Sequence, residues 1–440
     1  MPSYDSIIIG FGKGGKTLAA TFAASGQSVA LIEKSTDMYG GTCINTGCIP
    51  SKSLIHSAAA AVHKEDKAQA YRQAVQEKRA LTSMLRKKNY EKLSDKVTII
   101  DGTASFIGPT LLNVKTAEGE LHLSANNFYI NTGSVPVIPK IPGIKNNPHI
   151  YYSDTMMELE TLPQELVIIG GGYVGLEFAS MYANFGANVT VLNKEDVFLP
   201  REDRDIANAI KEMLQEQGIA IYTGSEITRI ESNIVCFYYN GRLHRRTADV
   251  ILLATGRRPN TDGLNLSLAK VKTKPNGGII TDQFLQTTQH GIFALGDVRG
   301  EQQFTYVSLD DYRIIKSEGG YNLTHRKNIP YSVFMAVPYA RVGMSEKEAA
   351  ESGLYYRTVK LPASSIPKAQ VLRKPVGLMK ALIDKQTNRI LGAMLFCEQA
   401  PEIINIIKIA MDVNANYTML RDEVFTHPTM SEALNDLFAL

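Results

Sequence analysis

Cys43 and Cys48 are the residues whose type and spacing most directly suggest chemistry. They stand five residues apart in GGTCINTGCIPSK, residues 40–52. Two thiols that close can form a small-ring disulfide, and so a store for two electrons. Pro50 favours the first turn of a helix, where its missing N–H costs nothing. That places Cys48 at a helix N-terminus, where the dipole favours a thiolate. Lys52 adds a cation one turn on. The competing readings are two buried free thiols or half of a zinc site. Zinc would need two more ligands, and no Cys or His pair at suitable spacing lies nearby.

The second chemistry is nucleotide binding. Gly10, Gly12 and Gly15 form a G-x-G-x-x-G motif after the apolar run YDSIIIG. Such glycines allow a tight turn, close approach of a pyrophosphate and tight helix–strand packing. The helix that follows offers N–H donors to the phosphates. An acid about 20 residues on would hold a ribose hydroxyl, and Glu33 stands there. A second motif has Gly170, Gly172 and Gly175, with Tyr173 inside it. Here the same offset lands on Asn193, followed by Lys194. A carboxylate would repel a 2′-phosphate, so this pair favours NADPH. The alternative is Asn193 on the ribose of NADH and a merely solvated Lys194. Near the C-terminus, His427 precedes Glu432 by five residues, a spacing that suits an oriented acid/base. On pattern alone, a single C-terminal histidine reads as structural.

These residues need elements to hold them. Apolar runs at 4–10 and 28–33 flank a small-residue helix at 14–25, a βαβ unit. Strand 165–170, helix 173–185 and strand 188–193 repeat it. Residues 49–93 read as mostly helical, with charges on a solvated face. Residues 97–130 read as short strands, and the Pro/Gly-rich 136–148 as a linker. After residue 330, strands alternate with helices. The expected fold class is α/β: two Rossmann-type dinucleotide-binding domains and a C-terminal α+β domain. The expected boundaries are 1–150 and 256–328 for the first domain, 151–255 for the second and 329–440 for the third.

Composition agrees. The chain has 440 residues, net charge +3, 44% hydrophobic and 21% charged residues. This excludes a disordered chain and gives no basic block for nucleic acid. Four cysteines are too few for a disulfide-stapled secreted scaffold. No apolar run reaches membrane-spanning length, and no signal peptide is recognisable. The cytoplasm is the expected location. Cys236 and Cys397 read as small buried residues.

Taken together, GGTCINTGCIPSK, the two glycine motifs, ATGRRPN (254–260), ALGDV (294–298) and HPTMSE (427–432) are specific. The chain resembles, from end to end, the class I pyridine nucleotide–disulfide oxidoreductases, which include glutathione reductase, dihydrolipoamide dehydrogenase and mercuric reductase. The resemblance implies FAD on the first domain (1–150 and 256–328), NADPH or NADH on the second (151–255), and a homodimer whose interface is the third, the C-terminal dimerisation domain (329–440). It implies that Gly10, Gly12, Gly15 and Glu33 hold the ADP half of FAD. Asp297 would hold the ribityl chain, and Thr305 would approach the flavin ring. Gly41, Thr42, Thr132, Gly133, Gly256 and Gly296 would also line the cofactor sites. It implies Cys48 as the thiol against the flavin and Cys43 as the interchange thiol. Lys52 and Glu177 would form an ion pair near the flavin, and Tyr173 a gate over the nicotinamide pocket. His427 and Glu432 would be a base dyad serving the other subunit.

REDRDIA (201–207), FTYVSLDDYRII (304–315) and PYSVFM (330–335) resemble a branch associated with hypochlorous acid, oxidative stress and copper(II) reduction. The expected acceptor is therefore a small molecule or a metal ion, copper(II) first. A mercuric reductase would carry a further C-terminal cysteine pair, which is missing here. A dihydrolipoamide dehydrogenase or other small-disulfide reductase is the alternative, and Asn193 speaks against the former. A flavin-binding redox sensor would not need the whole relay of Lys52, Glu177, His427 and Glu432.

Overall fold

The computed structural model describes residues 1–440. The first unit runs β1 (Ser3–Ile9), α1 (Lys13–Ala24), β2 (Val29–Glu33), α2 (Thr42–Asn45), α3 (Cys48–Ala61) and α4 (Lys67–Ser94). Next come β3 (Thr98–Asp101), β4 (Thr103–Gly108), β5 (Leu111–Thr116), β6 (Gly119–Ile130) and β7 (Ser134–Pro136). Strand order is β3-β2-β1-β6-β5-β4. Ile7, Ile8 and Ile9 are all buried, as a strand covered on both faces requires.

The span 97–130 ends in one strand of twelve residues rather than in short pieces. One edge of β6 pairs β1 along Ser124–Ile130. Its other edge pairs β5 first, over Gly119–Ser124, and then β17 (Ile292–Ala294). A single strand therefore serves both a parallel sheet and a meander, and the short-strand reading split it.

The second unit comprises β8 (Ile150–Tyr151), α5 (Ser153–Met156), β9 (Glu165–Ile169), α6 (Tyr173–Phe185), β10 (Asn188–Leu192), α7 (Arg204–Glu216) and β11 (Ala220–Tyr222). A meander of β12 (Glu226–Glu231), β13 (Ile234–Tyr239) and β14 (Arg242–Thr247) leads to β15 (Val250–Leu253). The parallel order is β11-β10-β9-β15-β8. The chain enters and leaves this unit through one ribbon, β7 against β16 (Arg257–Pro259). It then returns to the first sheet as β17 and to α1 as α8 (Thr305–Lys316). The Pro/Gly-rich segment after β7 has no regular structure before β8.

The last part is an antiparallel sheet, β18 (Tyr331–Val333), β19 (Tyr339–Gly343), β20 (Tyr356–Pro362), β21 (Leu378–Asp384) and β22 (Ile390–Phe396), in the order β18-β19-β22-β21-β20. Helices α9 (Glu346–Glu351), α10 (Pro367–Val371), α11 (Ala400–Asp412), α12 (Thr418–Asp422) and α13 (Ala433–Ala439) complete it. One core cluster of 35 buried residues takes Leu54 from α3, Tyr71 from α4, Phe178 from α6 and Tyr339 from β19. It locks all three parts around the segment carrying the cysteines. No helix is long and apolar enough to cross a membrane.

Candidate active site

The two glycine motifs build the same device twice. Gly10 has φ +101°, and a Cβ there would lie 2.4 Å from the Asn131 carbonyl oxygen. Gly170 matches it, with φ +116° and the Ala254 carbonyl at 2.3 Å. Only glycine fits such a turn. Gly15 and Gly175 lie where a Cβ would strike the carbonyls of Gly10 and Gly170, so helix and strand pack without side chains between them. Gly12 and Gly172 are the N-caps of α1 and α6, and neither carries a side-chain cap. At α1 the Gly14 and Gly15 N–H groups are taken by Ser308 and Asn131, which leaves the N–H groups before them for an anion, while no side chain accepts from the first turn of α6.

Glu33 is buried at the end of β2. Its Oε2 accepts the Phe11 N–H at 2.9 Å, and its Oε1 accepts that of Lys34. Burial pushes its carboxyl up, against those hydrogen bonds. In the second unit, Asn193 Oδ1 accepts the Gly171 N–H at 3.3 Å. The bond is thus repeated, with an amide in place of the carboxylate. Lys194 beside it is exposed and makes no ion pair.

The remaining cofactor-site candidates converge on the first unit. Gly41 has φ +82°, and a Cβ there would sit 2.6 Å from Gly12 Cα. The loop before the cysteines therefore lies against the glycine turn. Thr42 opens α2, with its Oγ1 3.7 Å from where a Gly133 Cβ would be. Thr132 donates to the Asn260 carbonyl, joining the two chain passes near the ribbon. Gly256 follows β15 and takes φ +101°, and its carbonyl accepts the Val137 N–H. Gly296 and Asp297 begin a 3-10 turn after β17. Asp297 accepts the Ser134 hydroxyl at 2.8 Å, and Ser134 in turn accepts from Arg257. Burial raises the Asp297 carboxyl. Backbone cradles that a Cβ would fill, helix N–H groups left for an anion, a buried carboxylate at one end and a half-buried one at the other fit FAD.

At the cysteines, α3 begins at Cys48. Cys43 is half-buried, Cys48 is exposed, and both thiols are free. Thr305, first residue of α8, lies 3.8 Å from Cys48 Sγ by its Oγ1. Lys52 Nζ is 2.9 and 2.7 Å from the two oxygens of Glu177 on α6, and 4.9 Å from the Phe334 ring centre. Glu177 also accepts the Phe334 N–H. One ion pair therefore ties the cysteine helix, the second unit and the C-terminal part together.

The two thiols titrate as one coupled pair. A hydrogen bond from Cys48 lowers the Cys43 thiol to about 6, with Thr305 and Lys16 helping against burial. Cys48 is pushed up, first by that same hydrogen bond, then by burial and by the Cys43 charge. Lys52, one turn along α3, favours the charge on Cys48 against those effects. Lys16 itself sits partly buried, donating to Asn89 and the Gly40 carbonyl. Burial brings its ammonium down to about 8.

His427 Nδ1 lies 2.8 Å from Glu432 Oε2, and the Glu432 Oε1 accepts the Thr429 N–H. The hydrogen bond to His427 holds the Glu432 carboxyl below its usual range. The His427 ring is exposed, and no bond joins it to either cysteine within one chain. Cys236 and Cys397 are buried, as the sequence reading expected. No group of three or more His, Cys, Asp or Glu side chains lies together as a metal cage.

Two features escaped sequence reasoning. Asn131 Oδ1 accepts the Gly15 N–H while its Nδ2 donates to the Leu295 carbonyl, clamping the glycine turn to the Gly296 loop. Asp311, fully buried, accepts the Gly296 N–H at 2.7 Å and pairs with Arg299 and Arg326. The only sequence signal for it was the doubled acid in FTYVSLDDYRII.

Residues 4–320 match the pyridine nucleotide-disulphide oxidoreductase family, and residues 329–438 its dimerisation domain. The chain is 46% identical over 446 residues to the probable pyridine nucleotide-disulfide oxidoreductase RclA of Escherichia coli (strain K12), covering all of both chains. It is 32% identical to a mercuric reductase of Staphylococcus aureus, over 98% of this chain and 81% of that one. Among solved structures, it superimposes on the Cu(II) complex of the HOCl-induced flavoprotein disulfide reductase RclA from Escherichia coli. The TM-score is 0.95 at 46% identity, covering 100% of this chain and 99% of that one. The resemblance read from the motifs is borne out, and with it the α/β fold class. The chain belongs to the pyridine nucleotide-disulphide oxidoreductases, flavoprotein enzymes that use FAD and NAD(P)H.

Proposed function

We propose that this protein is an NADPH-dependent flavoprotein reductase of the oxidative-stress type, whose Cys43–Cys48 pair passes two electrons to copper(II). The observation that carries this is the thiol pair itself. It is held between two dinucleotide folds, with Thr305 beside Cys48 and an ion pair one helical turn away. The copper(II) complex of a relative that is 46% identical supports the choice of acceptor. Asn193, where a carboxylate would repel a 2′-phosphate, supports NADPH.

FAD in the cradle would relay electrons from NADPH to the cysteine disulfide. The chain's own residues do the rest. Gly12, Gly41 and the N-terminus of α1 bind the pyrophosphate, and Glu33 takes a ribose hydroxyl. Asp297, fixed by Ser134, takes the ribityl chain. Lys52 and Glu177 set the field beside the ring, and Tyr173 covers the nicotinamide side. The reduced pair then meets two copper(II) ions. Two thiols become one disulfide, two copper(II) become two copper(I), and two protons leave. Soft thiolate sulfur favours the copper(I) product.

A second copy of the chain would bring His427 and Glu432 to the Cys43 side, where His427 would take up the proton that the thiol pair releases. The dimerisation domain supports such a homodimer. The domain division we propose is 1–150 with 256–328, 151–255, and 329–440, in a cytoplasmic enzyme. The test is anaerobic. Holoenzyme is reduced with one equivalent of NADPH, and copper(II) is added with a copper(I)-selective chelator present. Two copper(I) per reduced pair, lost in Cys43→Ser, is the expected result. Reoxidation by small disulfides but not by copper(II) would overturn the choice of acceptor.

A further inference from the structure

The N-terminal residue of α6 is held by a network that the redox chemistry above does not use. The Tyr173 hydroxyl donates to Glu202 Oε1 and lies 3.1 Å from the Tyr331 hydroxyl. Tyr331 also donates to Glu202 Oε1, at 2.6 Å. The other oxygen of Glu202 accepts from the Tyr339 hydroxyl and from Arg341 Nη1. Glu202 is 3% exposed, so this carboxylate is buried with four donors on its two oxygens. Arg341 is itself fixed, by the Arg201 carbonyl at 2.8 Å and by Glu348. Tyr331 lies on β18, and Tyr339 and Arg341 on β19. The latch on the second unit is therefore anchored in the C-terminal sheet.

The network also reaches towards the cysteines. The rings of Tyr173 and Tyr331 are 5.4 Å apart. Tyr331 stacks on Phe304 at 6.3 Å, and Phe304 on Tyr306 at 5.1 Å. Thr305, between those last two, is the neighbour of Cys48.

We propose that Glu202 is a positioning residue for nicotinamide binding: it latches the Tyr173 ring shut through the tyrosine hydroxyl. The inference rests on the reading of Tyr173 as the gate of the nicotinamide pocket. Opening the gate breaks a hydrogen bond to a buried carboxylate and parts the Tyr173 hydroxyl from that of Tyr331, which donates to the same oxygen. Glu202 keeps three donors when the ring leaves, so the open state stays accessible. A site that is competent only when open binds more weakly by the fraction of time it is open. Removing the latch must therefore tighten nucleotide binding.

Three variants of the holoenzyme test this, each checked for flavin content and melting temperature. In Tyr173→Phe the ring stays and the latch hydroxyl goes. KM for NADPH should fall about tenfold, the order of one hydrogen bond to a charged acceptor, with kcat changed far less. In Glu202→Gln the amide donors turn to the two tyrosines and the charged latch becomes neutral, so KM falls in the same direction, by less. Tyr173→Ala reports on the gate itself. If KM is unchanged in Tyr173→Ala, Tyr173 does not cover the pocket and the gate reading fails. If Tyr173→Ala alters KM while Tyr173→Phe and Glu202→Gln do not, the gate stands and the latch is overturned. A fall in Tyr173→Phe alone assigns the hold to Tyr331 and overturns the role of Glu202.

Discussion

The shared proton of the dithiol is open to a direct test with Cys48→Ala. In the reduced protein Cys43 titrates at about 6, and the largest cause is the hydrogen bond from Cys48. A depressed thiol is a thiolate above that pH and loses the charge as pH falls through it. Alanine at position 48 removes the donor, while the burial that opposes ionisation stays. Cys43 should then climb towards an ordinary thiol near 9. A rise of about three units corresponds to about 4 kcal/mol of lost thiolate stabilisation. At pH 7 the thiolate fraction drops from about 90% to about 1%. The more basic thiolate is intrinsically about twentyfold more nucleophilic at a Brønsted slope near 0.45, which offsets most of that loss. The net fall in alkylation rate is about fivefold at pH 7 and about twentyfold at pH 6. The assay is iodoacetamide labelling of Cys43 in reduced holoenzyme, mapped by peptide mass across pH 5 to 9.5. The decisive quantity is the midpoint, because the rate at one pH mixes two opposing effects. If the midpoint stays near 6 in Cys48→Ala, the thiol pair does not set the charge. Lys16 or Thr305 would then hold it, and Lys16→Met would shift the midpoint instead.

Gly41→Ala should yield folded protein depleted of flavin, because its Cβ would press on Gly12 Cα at 2.6 Å under a positive φ. The flavin-to-protein absorbance ratio of the purified protein checks it, and a normal ratio would remove Gly41 from the cradle. Asn193→Glu gives the second unit the same acceptor as Glu33 in the first. A carboxylate facing the 2′-phosphate should raise KM for NADPH by about tenfold or more and leave KM for NADH steady or lower. Equal effects on both nucleotides would refute the specificity reading. Lys380 is fully buried, with its ammonium within 2.9 Å of Asp203, Asp205 and Glu346. Lys380→Met strands those carboxylates and should cost about 3–5 kcal/mol in denaturant unfolding. The loss should shrink as pH falls, because stranded carboxylates take up protons more readily. A cost independent of pH would show that packing, not charge, holds that junction.

What the sequence could show follows the reach of each interaction. Gly10, Gly12, Gly15 and Glu33 lie within one strand–turn–helix–strand unit, so their spacing reports their geometry. The bond from the Phe11 N–H to Glu33 recurs as the bond from the Gly171 N–H to Asn193. Because the scaffold is the same, the side chain alone decides the chemistry at that position, and the sequence states the side chain. The Cys48 helix start was legible for the same reason, through Pro50. The coupling of the thiols was not, because groups from distant parts of the chain act on it, Lys16 and Thr305 among them. A local reading also gives Lys52 to Cys48 as a free cation, where the fold pairs it with Glu177, 125 residues away. Asn131 on Gly15, Asp311 on Gly296 and Glu202 on Tyr173 are hidden alike, because each acts between elements that only the packed core brings together. Motif residues in this enzyme therefore fix what can bind, and residues outside the motifs fix the charge and the position at which the bound groups are met.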